Sequence, residues 1–133
     1  MNLKNKTAII TGGGSGIGLA CAKLFCKNGA KVVIFSRRKS RLESAISQIG
    51  DNSISVQGDI TQENDIKKLV STTLDSFGQI DILVNNAGTS SSSPVHKMEN
   101  SHWDSIMDIN LNGVFRLSKH VLTHMIERKT GSI

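Results

Sequence analysis

The chain has 133 residues, of which 38% are hydrophobic and 20% are charged. This length allows one domain, and this composition is typical of a globular protein rather than a disordered one. No apolar run approaches the roughly 20 residues of a membrane-spanning helix, and the first residues have no signal-peptide core. The net charge of +5 is compatible with nucleic-acid binding, but apart from Arg37–Arg38–Lys39 and Arg41 the basic residues are dispersed.

Short strand-like runs alternate with longer helical ones along the first 85 residues. Strands are predicted at Ala8–Thr11, Val32–Ser36, Ser53–Gln57 and Ile82–Asn85. Helices are predicted at Gly16–Lys27, Arg41–Ile49 and Gln62–Phe77. Continuous apolar strands are typical of parallel sheets buried on both faces, and right-handed crossovers then give an α/β fold with a doubly wound parallel sheet.

A loop and a long helix follow the fourth strand. The loop, residues 89–94, contains the only proline and should lie at the carboxyl edge of the sheet, where open α/β folds bind ligands. One helix is predicted from Ser101 to Arg128. Its apolar stripe consists of Trp103, Ile106, Met107, Val114, Leu117, Val121 and Met125. Residues 131–133 look like the opening of a fifth strand.

A glycine cluster between the first strand and the first helix is the most informative functional feature. It runs Thr11-Gly12-Gly13-Gly14-Ser15-Gly16-Ile17-Gly18. Between a strand and a helix, such a turn lets phosphate approach the backbone, and the helix N-terminus offers unpaired N–H groups and partial positive charge. The alternative is a flexible loop, and the glycine spacing differs from the common G-x-G-x-x-G.

The end of the second strand carries Ser36, Arg37 and Arg38. In dinucleotide-binding folds an acidic residue at this place binds the ribose 2′-hydroxyl of NAD. A carboxylate would repel a 2′-phosphate, whereas a hydroxyl and a guanidinium hydrogen-bond to it. The sequence therefore favours NADP over NAD, with a solvated basic loop as the alternative.

Two further polar segments follow the third and fourth strands. Asp59, next to Ile60, can accept a hydrogen bond from an adenine amino group, or it can cap the following turn. In Asn85-Asn86-Ala87-Gly88, amides followed by small residues let a ligand lie against the backbone, although the same residues also form ordinary turns.

The long helix carries polar residues that need an explanation. Asn110 falls on the apolar stripe, and an unpaired buried amide costs about 1–3 kcal/mol, so it should have a partner. It is either bonded within the core, or it kinks the helix and orders a water beside an active site. His120 and His124 could share a face, but without a third ligand we predict no metal site.

Taken together, these residues resemble the short-chain dehydrogenase/reductase family over the whole chain. Residues 11–18 resemble its T-G-x-x-x-G-x-G, Asp59 its adenine-contacting Asp, and residues 85–88 its N-N-A-G. Asn110 resembles the catalytic Asn that organises a proton-relay water. The resemblance implies a Rossmann-like sheet of order 3-2-1-4 with the fifth strand only begun. The implied cofactor-binding residues are Gly12, Gly14, Ser15, Gly16, Ile17, Gly18, Ser36, Arg37, Arg38, Asp59, Ile60, Asn86, Ala87 and Gly88.

The resemblance covers about the first half of the family pattern. The family's catalytic Ser and Tyr-x-x-x-Lys lie further on, and this chain contains no tyrosine. That tyrosine is the general acid that protonates the carbonyl oxygen. We therefore expect residues 1–133 to be the N-terminal part of a single NAD(P)-binding domain, truncated, and inactive alone.

The function implied by the resemblance is NADP-dependent interconversion of a carbonyl and a secondary alcohol, as in 3-oxoacyl-thioester reductases or general alcohol dehydrogenases. The alternative is a non-catalytic dinucleotide-binding or regulatory module. We expect a small-molecule substrate, a homo-oligomeric full-length form, and neither a nucleic-acid nor a membrane partner.

The cysteines, Cys21 and Cys26, fall on different faces of the first helix, so free thiols and a cytoplasmic location are expected.

Overall fold

The computed structural model describes residues 2–133, which form a four-stranded parallel sheet between two layers of helices. The strands are β1 (Thr7–Thr11), β2 (Lys31–Ser36), β3 (Ser53–Gln57) and β4 (Ile82–Val84). Their order in the sheet is β3-β2-β1-β4, and all three pairings are parallel. The predicted Rossmann-like fold and strand order are confirmed, and the observed strand bounds differ from the predicted ones by one residue at most.

The helices lie where the alternating pattern predicts them, with one exception. They are α1 (Gly16–Lys27), α2 (Lys39–Ile49), α3 (Glu63–Phe77), α4 (Asn100–Met107) and α5 (Gly113–Glu127), with a 3₁₀ turn at Val95–Lys97. The single long helix predicted over 101–128 is wrong, because a π-helical turn at Asp108–Asn112 separates α4 from α5. None of the helices within residues 2–133 is long and apolar enough to cross a membrane.

Each face of the sheet has its own apolar core, which explains the continuously apolar strands. On one face, Ile9 and Val33 pack in a cluster with residues of α3 and α5. On the other face, Ile10 and Ile34 pack in a cluster with residues of α1 and α2. Because side chains alternate between the faces of a strand, every residue of β1 is buried.

Only the C-terminal half of the predicted apolar stripe lies in the core. Leu117, Val121 and Met125 on α5 are buried, as expected. Trp103 on α4 is 54% exposed, so the prediction that it belongs to a buried stripe is wrong. The π-helical turn changes the helical phase between α4 and α5, and residues on one side of it do not continue the face on the other side.

The residues expected to begin a fifth strand pair with β4. Ser132 forms a parallel bridge with Ile82. Its N–H donates to the carbonyl of Asp81 at 2.9 Å, and its carbonyl accepts from the N–H of Leu83 at 3.0 Å. The chain therefore reaches the edge of β4 in the register of a parallel neighbour.

A buried carboxylate joins the amino ends of β1 and β4 to the end of α5. Asp81 is 3% exposed and accepts hydrogen bonds from the N–H of Thr7 at 2.8 Å, from Gln79 at 2.7 Å and from Arg128 at 2.9 Å. Burial opposes ionisation of Asp81, but the Thr7 N–H and the Arg128 guanidinium outweigh it and hold the pKa of this carboxyl below its usual range.

We expect Asp81→Asn to lower the free energy of unfolding by about 2–3 kcal/mol at pH 7, because an amide offers one acceptor oxygen to three donors. A depressed pKa stabilises the folded state above the unfolded-state value of about 4, and this contribution is lost as the pH falls through the folded-state pKa. Urea unfolding between pH 7 and pH 3 should therefore show the difference between wild type and variant shrinking on acidification. Asp51→Asn, in an exposed turn, is the control; a constant difference across this range would contradict the assignment.

Candidate functional site

A cleft of about 370 Å³ lies at the carboxyl ends of the strands, where the strand order reverses between β1 and β4. In open α/β sheets this reversal leaves a crevice between loops that diverge to opposite faces. The walls come from the segments that follow all four strands. They are formed by Gly12, Gly14, Ser15, Phe35, Ser36, Arg37, Arg38, Arg41, Gly58, Asp59, Ile60, Asn86, Ala87, Gly88, Thr89 and Ile109.

The cleft brings together most of the residues singled out from the sequence. Four of the predicted site residues are absent from its walls. Gly16, Ile17 and Gly18 lie in the first turn of α1, with Ile17 76% exposed, and Asn110 lies next to the wall residue Ile109. Five wall residues were not predicted: Phe35, Arg41, Gly58, Thr89 and Ile109. Phe35, Gly58 and Thr89 adjoin predicted residues in the sequence, so extending each motif by one position would have found them.

The glycines of the loop after β1 have different physical roles. Gly12 has φ +67°, and a Cβ there would lie 2.8 Å from the Asn86 side-chain nitrogen. Gly18 lies against the loop itself, since a Cβ would be 2.5 Å from the carbonyl oxygen of Gly12. Gly16 has φ +55° with open space around it, so only its backbone conformation requires glycine. The spacing of these glycines therefore reflects both turn geometry and the close approach of α1 to β1.

The loops after β1 and β4 are joined by hydrogen bonds centred on Thr11. Its buried hydroxyl accepts from the N–H groups of Asn86 at 3.0 Å and Ala87 at 2.9 Å, and it donates to the carbonyl of Val84 at 3.3 Å. The Asn86 side chain donates to the Thr11 carbonyl at 2.9 Å. These bonds fix the two loops on either side of the strand reversal.

The end of β2 combines a hydroxyl without a protein partner with several guanidinium groups. Ser36 Oγ is buried and, in the described part of the chain, has no hydrogen-bond partner. Arg37 lies 3.8 Å from Asp59 Oδ2, and Arg41 donates a long hydrogen bond of 3.4 Å to Ser15 Oγ. An orphaned buried hydroxyl beside cationic groups is the chemistry expected of a site for an anion.

Asp59 closes the turn after β3, which is one of the two interpretations that the sequence left open, and the adenine contact stays a prediction. One carboxylate oxygen, Oδ1, accepts from the N–H and the hydroxyl of Thr61, each at 2.9 Å, which closes the turn after β3. The other, Oδ2, lies near Arg37, and Asp59 lines the cleft. The turn therefore uses one oxygen and leaves the second for the cleft.

Asn110 lies in the π-helical turn, and its burial was predicted wrongly. Its side chain is exposed rather than buried in the apolar stripe. The distorted helix and the expected partner are both present, because Asn110 Oδ1 accepts from the Thr89 N–H at 2.8 Å and its Nδ2 donates to the Thr89 carbonyl at 2.7 Å. Asn110 thus pairs with the backbone of one wall residue, in the geometry of a strand-like pair of bonds.

The histidines of α5 lie outside this cleft. His120 Nε2 is 2.6 Å from Glu63 Oε1, and this hydrogen bond is the main reason that the pKa of Glu63 lies below its usual value. Within residues 2–133, no group of three or more His, Cys, Asp or Glu side chains is placed to hold a metal ion.

Comparison with known proteins places this architecture in a family. The model of the short chain dehydrogenase family matches residues 6–133. The chain belongs to the short-chain dehydrogenase family. The strand order, the glycine loop after β1 and the cleft described above are therefore those of a family member.

Individual relatives match along almost the entire chain. A 3-oxoacyl-acyl-carrier-protein reductase of Vibrio cholerae is 38% identical over 133 residues, which are 100% of this chain and 54% of that protein. An uncharacterized oxidoreductase of Staphylococcus saprophyticus is also 38% identical, over 99% of this chain and 54% of its own length. The chain therefore spans about half the length of the curated relatives it matches.

Solved structures of the family superpose closely on this chain. A 3-ketoacyl-(acyl-carrier-protein) reductase from Brucella melitensis, complexed with NADH, gives a TM-score of 0.93 at 40% identity, over 96% of this chain and 53% of that one. A short chain dehydrogenase from Bacillus anthracis gives 0.92 at 38% identity, over 96% of this chain and 54% of that one.

Gly18→Ala should disrupt the loop after β1, because the new Cβ would lie 2.5 Å from a backbone oxygen that cannot move without the loop. We expect a loss of about 2–4 kcal/mol in the free energy of unfolding, measured by urea denaturation. Gly14→Ala is the matched control, since its Cβ would meet only Ser36 Oγ, at 3.2 Å, and Arg41, at 3.4 Å. Equal stability of the two variants would contradict the close approach of α1.

Asn110→Ala should release the backbone of Thr89, since both hydrogen bonds between these residues are lost. Amide hydrogen exchange at Thr89 should accelerate by about tenfold, which corresponds to about 1.4 kcal/mol of lost protection. Asn112→Ala is the control, because Asn112 occupies the same π-helical turn and its side chain bonds Asp108 instead. Unchanged exchange at Thr89 in the Asn110 variant would show that this contact does not hold the loop.

Proposed function

We propose that the cleft binds NADP and that the chain is the cofactor-binding part of an oxidoreductase that interconverts a carbonyl and a secondary alcohol. The observation that carries the proposal is the buried Ser36 hydroxyl, which has no hydrogen-bond partner among residues 2–133 and lies in a cleft lined by three arginines. Membership of the short-chain dehydrogenase family supports the reaction class. The NADH complex of the Brucella melitensis relative supports a nicotinamide dinucleotide as the ligand.

The residues at the start of α1 fit a pyrophosphate. Ser15, at the N-cap, makes no side-chain capping bond, and the first turn of α1 contains no acidic residue. The N–H groups of this turn and the positive end of the helix dipole are therefore open to an anion. Gly14, Ser15, Gly16, Ile17 and Gly18 would hold the pyrophosphate through their backbone.

The remaining wall residues would each contact a different part of the dinucleotide. Ser36, Arg37 and Arg38 would hold the ribose 2′-phosphate, while Asp59 Oδ2, which the turn does not use, and the neighbouring Ile60 would face the adenine. Asn86 and Ala87, which Thr11 fixes, and the adjacent Gly88 would place their backbone against the ligand. When bound, a nicotinamide cofactor supplies or accepts the hydride.

NADP is favoured over NAD because no carboxylate occupies the end of β2. Ser36 stands where NAD-binding folds place an acidic residue, and Arg37 and Arg38 follow it. A 2′-phosphate would gain charge-assisted hydrogen bonds here. The 2′-hydroxyl of NAD would offer these guanidinium groups no charge, and of Arg37 and Arg38 only Arg37 has a carboxylate nearby, that of Asp59.

The catalytic contribution of this chain would come from Asn110, which we propose organises a proton-relay water beside the cleft. An amide does not protonate an alkoxide, and the 133 residues contain no tyrosine to do so. We therefore propose that residues 1–133 alone do not reduce carbonyl substrates.

For the substrate, we propose a thioester. Two of the relatives are reductases of 3-oxoacyl or 3-ketoacyl carrier-protein substrates, which supports this class.

We also propose a cytoplasmic location and a homo-oligomeric full-length form. Cys21 and Cys26 are free thiols, which suits a reducing cytoplasm. Phe115 and Ile126 on α5 are 66% and 69% exposed, and their apolar area suits a homo-oligomer.

The cofactor preference is tested by replacing Ser36 with Asp and Arg37 with Ala together. Calorimetric titration should show tighter binding of NADPH than NADH to the wild-type protein. In the double variant, NADPH affinity should fall at least about tenfold, or about 1.4 kcal/mol, because a charged hydrogen bond is lost and a repulsion is introduced.

A matched control carries Ser40→Asp with Lys39→Ala, since both residues are exposed on α2 and lie outside the cleft. This control should keep the wild-type preference. Equal affinity of the wild-type protein for NADPH and NADH would refute the proposed preference.

A further inference from the structure

Arg41 reaches back from the first turns of α2 to the glycine loop. Its guanidinium lies 3.4 Å from Ser15 Oγ. A Cβ placed on Gly14 would lie 3.2 Å from Ser36 Oγ and 3.4 Å from the Cβ of Arg41. Gly14, Ser15, Ser36 and Arg41 therefore converge on one part of the cleft, and the missing side chain of Gly14 leaves the space between them open.

The basic side chains around this part of the cleft differ in how far a nearby carboxylate offsets their charge. Arg37 lies 3.8 Å from Asp59 Oδ2, and Lys39 lies 3.8 Å from Glu43, so a carboxylate offsets part of each charge. Within residues 2–133, neither Arg38 nor Arg41 has a carboxylate within ion-pair distance, and of these two only Arg41 forms a side-chain hydrogen bond, to the neutral hydroxyl of Ser15. An anion approaching the Ser36 hydroxyl would compete with Asp59 for Arg37, whereas Arg41 would need to give up only a long bond to Ser15.

We propose that Arg41 is a specificity-determining residue that binds the 2′-phosphate of NADP together with the buried Ser36 hydroxyl. This role rests on the proposed function of the cleft as an NADP site. The planar guanidinium offers two donors to a phosphate, and Ser36 Oγ offers one more, which satisfies the orphaned buried hydroxyl. Arg41 then contributes to the choice between NADP and NAD although it lies on α2 and not in the segment that directly follows β2.

The test compares two probes that differ only in the 2′-phosphate, adenosine 2′,5′-bisphosphate and 5′-AMP, by calorimetric titration of the wild-type protein and Arg41 variants. Arg41→Ala should weaken binding of the bisphosphate about tenfold, and binding of 5′-AMP less than about twofold. Arg41→Lys should fall between wild type and Arg41→Ala, since it keeps the charge and loses the paired donors.

Lys39→Ala is the matched control, because it removes one positive charge from the same turn of α2 without touching the cleft. It should leave both affinities unchanged within about twofold. Equal losses in Lys39→Ala and Arg41→Ala would mean that Arg41 acts only through general charge, which overturns the proposal. If the wild-type protein prefers the bisphosphate and this preference survives in Arg41→Ala, the role of Arg41 is overturned while NADP binding stands. If the wild-type protein binds the bisphosphate and 5′-AMP equally well, the NADP assignment itself is overturned.

Discussion

The site depends on the hydrogen bonds that join the ends of β1 and β4. The strand order reverses between these two strands, so their loops leave the sheet toward opposite faces and would otherwise diverge. The Thr11 hydroxyl accepts hydrogen bonds from the backbone N–H groups of Asn86 and Ala87, and the Asn86 side-chain amide donates one to the Thr11 carbonyl. Because these groups are satisfied inside the protein, both loops keep one geometry, and the cleft between them has a defined shape.

The fold was predictable because the strongest constraints are local in the sequence. Val32–Phe35 is continuously apolar, and only a strand buried on both faces accommodates that pattern. Gly29, with φ +91°, and Gly78, with φ +78°, follow the ends of α1 and α3, where a left-handed residue is needed to leave a helix. The π-helical turn was anticipated only as one alternative, a kink at Asn110, because the sequence of 108–112 contains no proline or glycine that would fix where the helix breaks.

Site residues were predictable from the sequence where a backbone constraint selects the residue type. They were less predictable where a long side chain contacts a segment that is distant in the sequence. Gly12 and Asn86 could be named from the sequence because a turn and a close contact require them. Arg41 was visible only as part of a basic cluster, because its contact with Ser15 spans 26 positions and depends on how α2 packs. Burial of Asn110 was misjudged for a related reason: helical phase decides which face a residue occupies, and the π-helical turn changes that phase.

The same turn also constrains how this segment could vary over evolutionary time. A π-helical turn holds one residue more than the α-helical turn it replaces. Deleting one residue within 108–112 would therefore restore regular winding and leave α4 and α5 in nearly their present relative rotation. Leu117 and Val121 would keep their places in the core. The deletion would instead remove the bulge from which Asn110 reaches both polar groups of the Thr89 backbone, so its cost would fall on the site rather than on the fold.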